Sequence, residues 1–275
     1  MTHTEFKTDL DDPEFDPEFS NDLSDGDPRL SLRRLVSLIV IVVVILALAL
    51  VVEYEGQREI PASLDRLTEN FATMVYDDLA EPGVANRLIR WGQPVRVAMT
   101  GNVEKASLQE VSALLDEFEV LTSVRFLISP PERANLIIII SREDFDRSAL
   151  LISHPDNVQC VTTTAGGGLG SITGAQILIP DDLDAVTTTK CLAHELMHAL
   201  GFQGHPSLLF PSALSNEPSY ATLSINDRIL IRALYDNRLD WDMSRTTMVK
   251  NARSIIAELL DQVEDADDVL AALAR

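Results

Sequence analysis

The chain has 275 residues, 46% of them hydrophobic and 24% charged, which is ample for one or two domains with a real core. Forty-three acidic residues against 22 basic ones give a net charge of −21, which excludes the basic face that nucleic-acid binding needs. Two cysteines exclude a disulfide-rich scaffold and a cysteine-only zinc site, but leave room for one bridge.

Residues 1–34 carry repeated Asp-Pro and Pro-Glu-Phe pieces and few aliphatic residues, the composition of a disordered acidic tail. Residues 35–52 (LVSLIVIVVVILALALVV) hold no charge and one polar side chain, Ser37. As a helix they would rise about 27 Å, so they are expected to be a single N-terminal transmembrane signal anchor. Arg29, Arg33 and Arg34 precede this run, and Glu53 and Glu55 follow it. The positive-inside rule then places the N-terminus in the cytoplasm of a bacterial inner membrane and the rest in the periplasm or outside. Ala47-Leu48-Ala49 also has the look of a signal-peptidase site, although the long acidic leader favours an uncleaved anchor.

Ser63 to Leu79 shows helical spacing and reads as part of a helical linker over 53–87 that ends near Glu81-Pro82-Gly83. A compact α/β domain over 88–240 follows, built on a mixed β-sheet. Its expected strands are Pro94–Thr100, Val124–Ser129, Ala134–Ser141, Val158–Thr164 and Ala175–Pro180. Helices are expected over Val103–Leu121 and Glu143–Leu151. The four-isoleucine run in the third strand suggests burial on both faces. Gly166-Gly167-Gly168-Leu169-Gly170 lacks a Walker lysine and dinucleotide spacing, and reads as a connection. Residues 241–275 are expected to form C-terminal helices, 244–260 and 265–273, with acidic outer faces.

The chemistry concentrates in Cys191-Leu-Ala-His194-Glu195-Leu-Met-His198-Ala-Leu-Gly201-Phe-Gln-Gly-His205. On a helix, His194 and His198 project from one face within reach of a single zinc ion. Glu195 is placed to act on a water at the metal rather than to bind it. Gly201 suits a helix end, and the turn after it would return His205 as a third ligand. Glu217 is an alternative third ligand, Asp227 a helix cap or anchor, and His154 a surface turn residue. His3 lies in the leader, across the expected membrane. Cys191 sits one turn before His194. It is either a zinc ligand or inhibitory thiol, or the partner of Cys160 in a disulfide, the reading an oxidising compartment favours.

The HExxHxxG stretch followed by His resembles the metzincin clan of zinc metallopeptidases, especially its matrixin-like branch. Three residues, Phe202-Gln203-Gly204, separate Gly201 from His205 where the clan has two. Leu214 stands nearest to the clan's methionine turn. Leu223–Asp227 with Ile231, Leu234 and Tyr235 resembles the closing helix of matrixin-like domains. Cys191 to Leu260 is also similar to an uncharacterised bacterial zincin-like domain family of unknown function. The resemblance implies a zincin fold, a Zn2+ cofactor, peptide or protein substrates, and Glu195 as the base that activates the attacking water. It also implies that the Ala175–Pro180 strand is the edge that pairs with an extended peptide. The competing expectation is a zinc-stabilised, non-catalytic envelope protein that binds a peptide or protein partner.

Overall fold

A computed structural model describes residues 35–45, 59–76, 87–103, 108–149, 159–167, 170–206, 209–215 and 222–274. The acidic tail 1–34, His3, His154, Glu217 and the boundary at 81–83 lie outside the described residues. The chain divides into two units, Met1–Arg58 and Glu59–Arg275.

In the first unit the described residues 35–45 are helical. Among the described residues no helix is long and apolar enough to cross a membrane. The single transmembrane helix expected over 35–52 is therefore not supported, nor is the topology drawn from it; residues 46–52 lie outside the described residues.

The second unit begins with α1, Leu64–Val75, capped by the Ser63 hydroxyl on the Arg66 N–H. Expected as part of a linker, α1 instead joins the core. Leu67, Phe71, Met74 and Val75 are all fully buried, and burial of each such side chain contributes roughly 1.5–3 kcal/mol. Its partner is the long C-terminal helix α6, Arg245–Val263, so residues on both sides of the expected 88–240 domain belong to one unit.

The sheet contains β1 (Arg90–Trp91), β2 (Val95–Gly101), β3 (Phe126–Ile128), β4 (Leu136–Ile140), β5 (Val161–Gly167) and β6 (Ser171–Ile179). Strands β3, β2, β4 and β6 lie side by side and parallel, with short β1 pairing the start of β6. β5 runs antiparallel along the other side of β6 and forms the sheet's edge. The sheet is mixed, as expected, but the Ala175–Pro180 segment is interior and the edge is β5. A nine-residue strand can hydrogen-bond on both sides, and nothing local in its sequence tells which neighbours it takes.

The register explains the core. Val97, Leu136 and Ala175 are aligned across β2, β4 and β6, and Met99, Ile138 and Ile177 follow two residues on. These side chains share one face by the period-two alternation of strands, and Leu136, Ile138 and Ile140 are buried. Ile137 and Ile139 point to the other face and are only half-buried, so the isoleucine run is not buried on both faces. Gly166 and Gly167, read as a connection, continue β5.

Between β2 and β3 runs α2 (Leu108–Thr122), and α3 (Arg142–Ala149) follows β4. After β6 comes α4 (Ala185–Leu200), then α5 (Ile225–Leu234), α6, and the short α7 (Val269–Leu273). The last carbonyls of α4 are satisfied from distant residues. Trp91 Nε1 donates to Ala199 O at 2.8 Å and the Tyr235 hydroxyl donates to Leu200 O at 2.9 Å. Both bonds fix the C-terminal turn of α4, the helix that carries the HExxH residues.

Candidate metal centre

Asp184 starts α4: its carboxylate accepts the Thr187 N–H at 3.0 Å and the Thr187 hydroxyl at 2.6 Å. Four residues apart on this helix, His194 and His198 face the same way. Gly201 ends it at φ 122°, where a Cβ would stand 2.0 Å from the Ile89 carbonyl oxygen. Only glycine accepts both the conformation and the contact.

The chain then folds back against the end of α1. The N–H groups of Gln203 and Gly204 both donate to Met74 O, at 2.6 and 3.0 Å. Gln203 Nε2 donates to Val75 O at 2.7 Å and to Arg87 O at 2.8 Å. A Cβ on Gly204 would meet Thr73 O at 2.5 Å. α1 is thus the platform on which the three-residue spacer Phe202-Gln203-Gly204 turns, and the turn delivers His205 to the other two histidines.

The result is a triangle of Nε2 atoms. His194 to His205 is 3.1 Å, His194 to His198 is 3.2 Å and His198 to His205 is 3.3 Å. The three residues form a group able to hold one metal ion. His194 Nδ1 lies 2.9 Å from Ala213 O, and His198 Nδ1 lies 2.7 Å from Phe202 O. A carbonyl only accepts, so each Nδ1 carries the proton and each neutral ring leaves its Nε2 lone pair facing the centre. Burial, with the neighbouring His205, lowers His194 from 6.5 to about 4; burial, with His194 and His205, lowers His198 to about 3. Both rings are therefore neutral near pH 7, the form that binds metals.

Glu195 is buried, 3% exposed, and burial raises its carboxyl from 4.5 to about 7, against a smaller opposing pull from Thr162. Thr162 belongs to the edge strand β5, and its hydroxyl donates to the Glu195 backbone carbonyl at 2.9 Å. The residue just before this strand is tied to α4 by a Cys160–Cys191 disulfide with an S–S distance of 2.12 Å. Cys191 is thus bonded to Cys160, and neither cysteine keeps a free thiol to ligate a metal.

The loop around Ala213 supplies the acceptor for His194. It is held by Asp227, which is fully buried at the first turn of α5 and forms a reciprocal cap with Ser224. Burial pushes its carboxyl up, while hydrogen bonds from Ser212, Ala213 and Ser224 pull it down. The Ser224-x-x-Asp227 spacing marks a helix start in the sequence, but its service to the histidine loop is a tertiary property that spacing does not carry. Leu214, in the methionine-turn position, is fully buried in the core.

Among curated proteins nothing matches the chain. A family described as a protein of unknown function, DUF2927, matches residues 65–253 and so takes in nearly all of α1, the sheet, the histidine triangle and the first half of α6. That description carries no activity, so the metzincin resemblance rests on the motif. The chain belongs to the DUF2927 family.

Proposed function

We propose that the protein is a zinc-dependent metallopeptidase in which His194, His198 and His205 hold the ion and Glu195 is the general base. The observation that carries this reading is the triangle of Nε2 atoms, 3.1–3.3 Å apart, beside a buried glutamate on the same helix. Nitrogens bound tetrahedrally to zinc at about 2.05 Å stand about 3.3 Å from one another. The three separations fit that edge, and two of the rings already present unprotonated Nε2.

Bound zinc supplies Lewis acidity toward a carbonyl oxygen and makes water acidic near neutrality. Glu195 takes the proton of the attacking water and later passes it to the leaving amine. A carboxyl held near pH 7 by burial does both with little cost at neutral pH. β5 offers the substrate a place: it pairs with β6 on one side, and among the described residues no strand pairs its other side. An extended peptide laid there gains main-chain hydrogen bonds next to the helix that carries Glu195. A site serving stability alone has no use for that buried carboxyl, which costs free energy to desolvate.

The test is digestion of a mixed peptide library by the zinc-supplemented full chain. Cleavage is expected from the wild type, lost with a chelator, restored by zinc and absent in Glu195→Gln. Intact peptides alongside a folded, zinc-loaded wild type would overturn the peptidase reading.

A further inference from the structure

Two of the three histidines are oriented by backbone carbonyls, but those carbonyls have different backing. The acceptor of His198, Phe202 O, belongs to the 202–203 peptide, whose N–H donates to the neutral Met74 carbonyl at 2.6 Å. The acceptor of His194, Ala213 O, belongs to the 213–214 peptide. Its N–H, on Leu214, donates to Ser212 Oγ at 3.2 Å, and that hydroxyl donates to Asp227 Oδ1 at 2.6 Å. The other oxygen, Asp227 Oδ2, accepts the Ala213 N–H at 2.8 Å and the Ser224 N–H at 2.9 Å. The same Oδ2 lies 2.8 Å from the Ser224 hydroxyl, which also stands 2.9 Å from Pro211 O. Ser212, Ser224 and Asp227 are all fully buried.

We propose that Asp227 and Ser212 are positioning residues for His194, coupling a buried carboxylate to the metal-facing nitrogen through one hydroxyl and one peptide group. The inference rests on the metal-site reading above. Every link runs in the same sense. Donation from Ser212 to the carboxylate makes its oxygen a better acceptor, so the Leu214 N–H is held more firmly. The Ala213 carbonyl then accepts more strongly from His194 Nδ1, and Nε2 becomes a stronger donor to a metal. Chains of hydrogen bonds reinforce one another in this way when water is excluded. Among the described residues no carboxylate stands behind the acceptor of His198, which serves as the internal control.

The experiment uses the full chain with 15N-labelled histidine, as wild type, Asp227→Asn and Ser212→Ala. The alanine variant removes a single hydroxyl and keeps the proposal testable if the asparagine variant fails to fold. In the metal-free wild type, nitrogen chemical shifts should report both His194 and His198 protonated on Nδ1. Each variant should move His194 toward a mixture of tautomers and leave His198 unchanged. Zinc affinity, read by competition with a chromophoric chelator, should fall about tenfold or more, the range seen for lost outer-shell partners. Unchanged His194 signals and affinity would overturn the proposal. So would equal changes at both histidines, which would mean a general structural role. A wild type that binds no zinc would defeat the metal reading, while the tautomer measurement would still decide this one.

Discussion

Gly204→Ala is the sharpest mechanical test of how the third histidine reaches its place. The added carbon would stand 2.5 Å from the Thr73 carbonyl oxygen, whereas a relaxed carbon–oxygen contact needs about 3.3 Å. The 203–205 turn must therefore retreat by roughly 0.8 Å. That retreat stretches the Gln203 and Gly204 bonds to Met74 O, now 2.6 and 3.0 Å. It also carries His205 away from its partners at 3.1 and 3.3 Å. Metal–ligand distances tolerate only about 0.2 Å, so His205 should drop out as a ligand. Overpacking of this kind costs about 1–3 kcal/mol. Chelator competition should show zinc affinity falling by about an order of magnitude or more, as for a disrupted metal shell, and urea denaturation of the metal-free chain should show the stability loss. Wild-type affinity with wild-type stability would refute the claim that α1 is the platform for the turn.

Three further outcomes follow from the geometry. Glu195→Gln should keep zinc stoichiometry and fold yet lower peptide turnover by about 10²–10⁴-fold; unchanged turnover in a steady-state assay would reject Glu195 as the base. The Cys160–Cys191 bridge spans a sequence separation of 31, and loop-closure entropy for that length corresponds to about 3–4 kcal/mol. The Cys160→Ser/Cys191→Ser double variant should lose that amount in urea titrations, and an unchanged midpoint would contradict it. His194 and His198, lowered by burial to about 4 and about 3 from 6.5, give the metal-free chain stability that is complete above the unfolded value and lost as pH falls toward the folded values. Glu195, raised to about 7 from 4.5, acts in the opposite sense, its contribution complete below the unfolded value and lost as pH rises through the folded one. Glu195→Gln should therefore steepen the loss of stability on acidification between 6.5 and 4.5, and parallel profiles for the two proteins would contradict it.

What the sequence made readable was what local periodicity encodes. His194 and His198 fall on one helix face by spacing alone, and Gly201 marks the helix end. The order of the longer strands and helices was readable too, because each element's pattern is internal to it, whereas the two-residue β1 at Arg90–Trp91 is too short to carry a pattern. The neighbours of an element are not encoded that way. The Ala175–Pro180 segment has the alternation of a strand, yet its pairing with β4 and β5 on opposite sides arises only when the sheet assembles. α1 shows its apolar face in the sequence, but its partners, α6 and the turn before His205 that bonds to its last carbonyls, are distant along the chain. Ser224 and Asp227 announce a helix cap, while the hydrogen bonds from Ser212 and Ala213 that tie this cap to His194 depend on the loop packing over it. The apolar run at 35–52 reads by composition as a membrane span, but among the described residues no helix is long and apolar enough to cross a membrane.

X-ray absorption at the zinc edge of the purified, zinc-loaded full chain tests the central claim most directly. The expected spectrum shows three imidazole nitrogens and one light atom at about 2.0–2.1 Å, with one imidazole lost in His205→Ala. A shell containing sulfur, a six-oxygen shell, or a spectrum unaffected by removing His205 would contradict it.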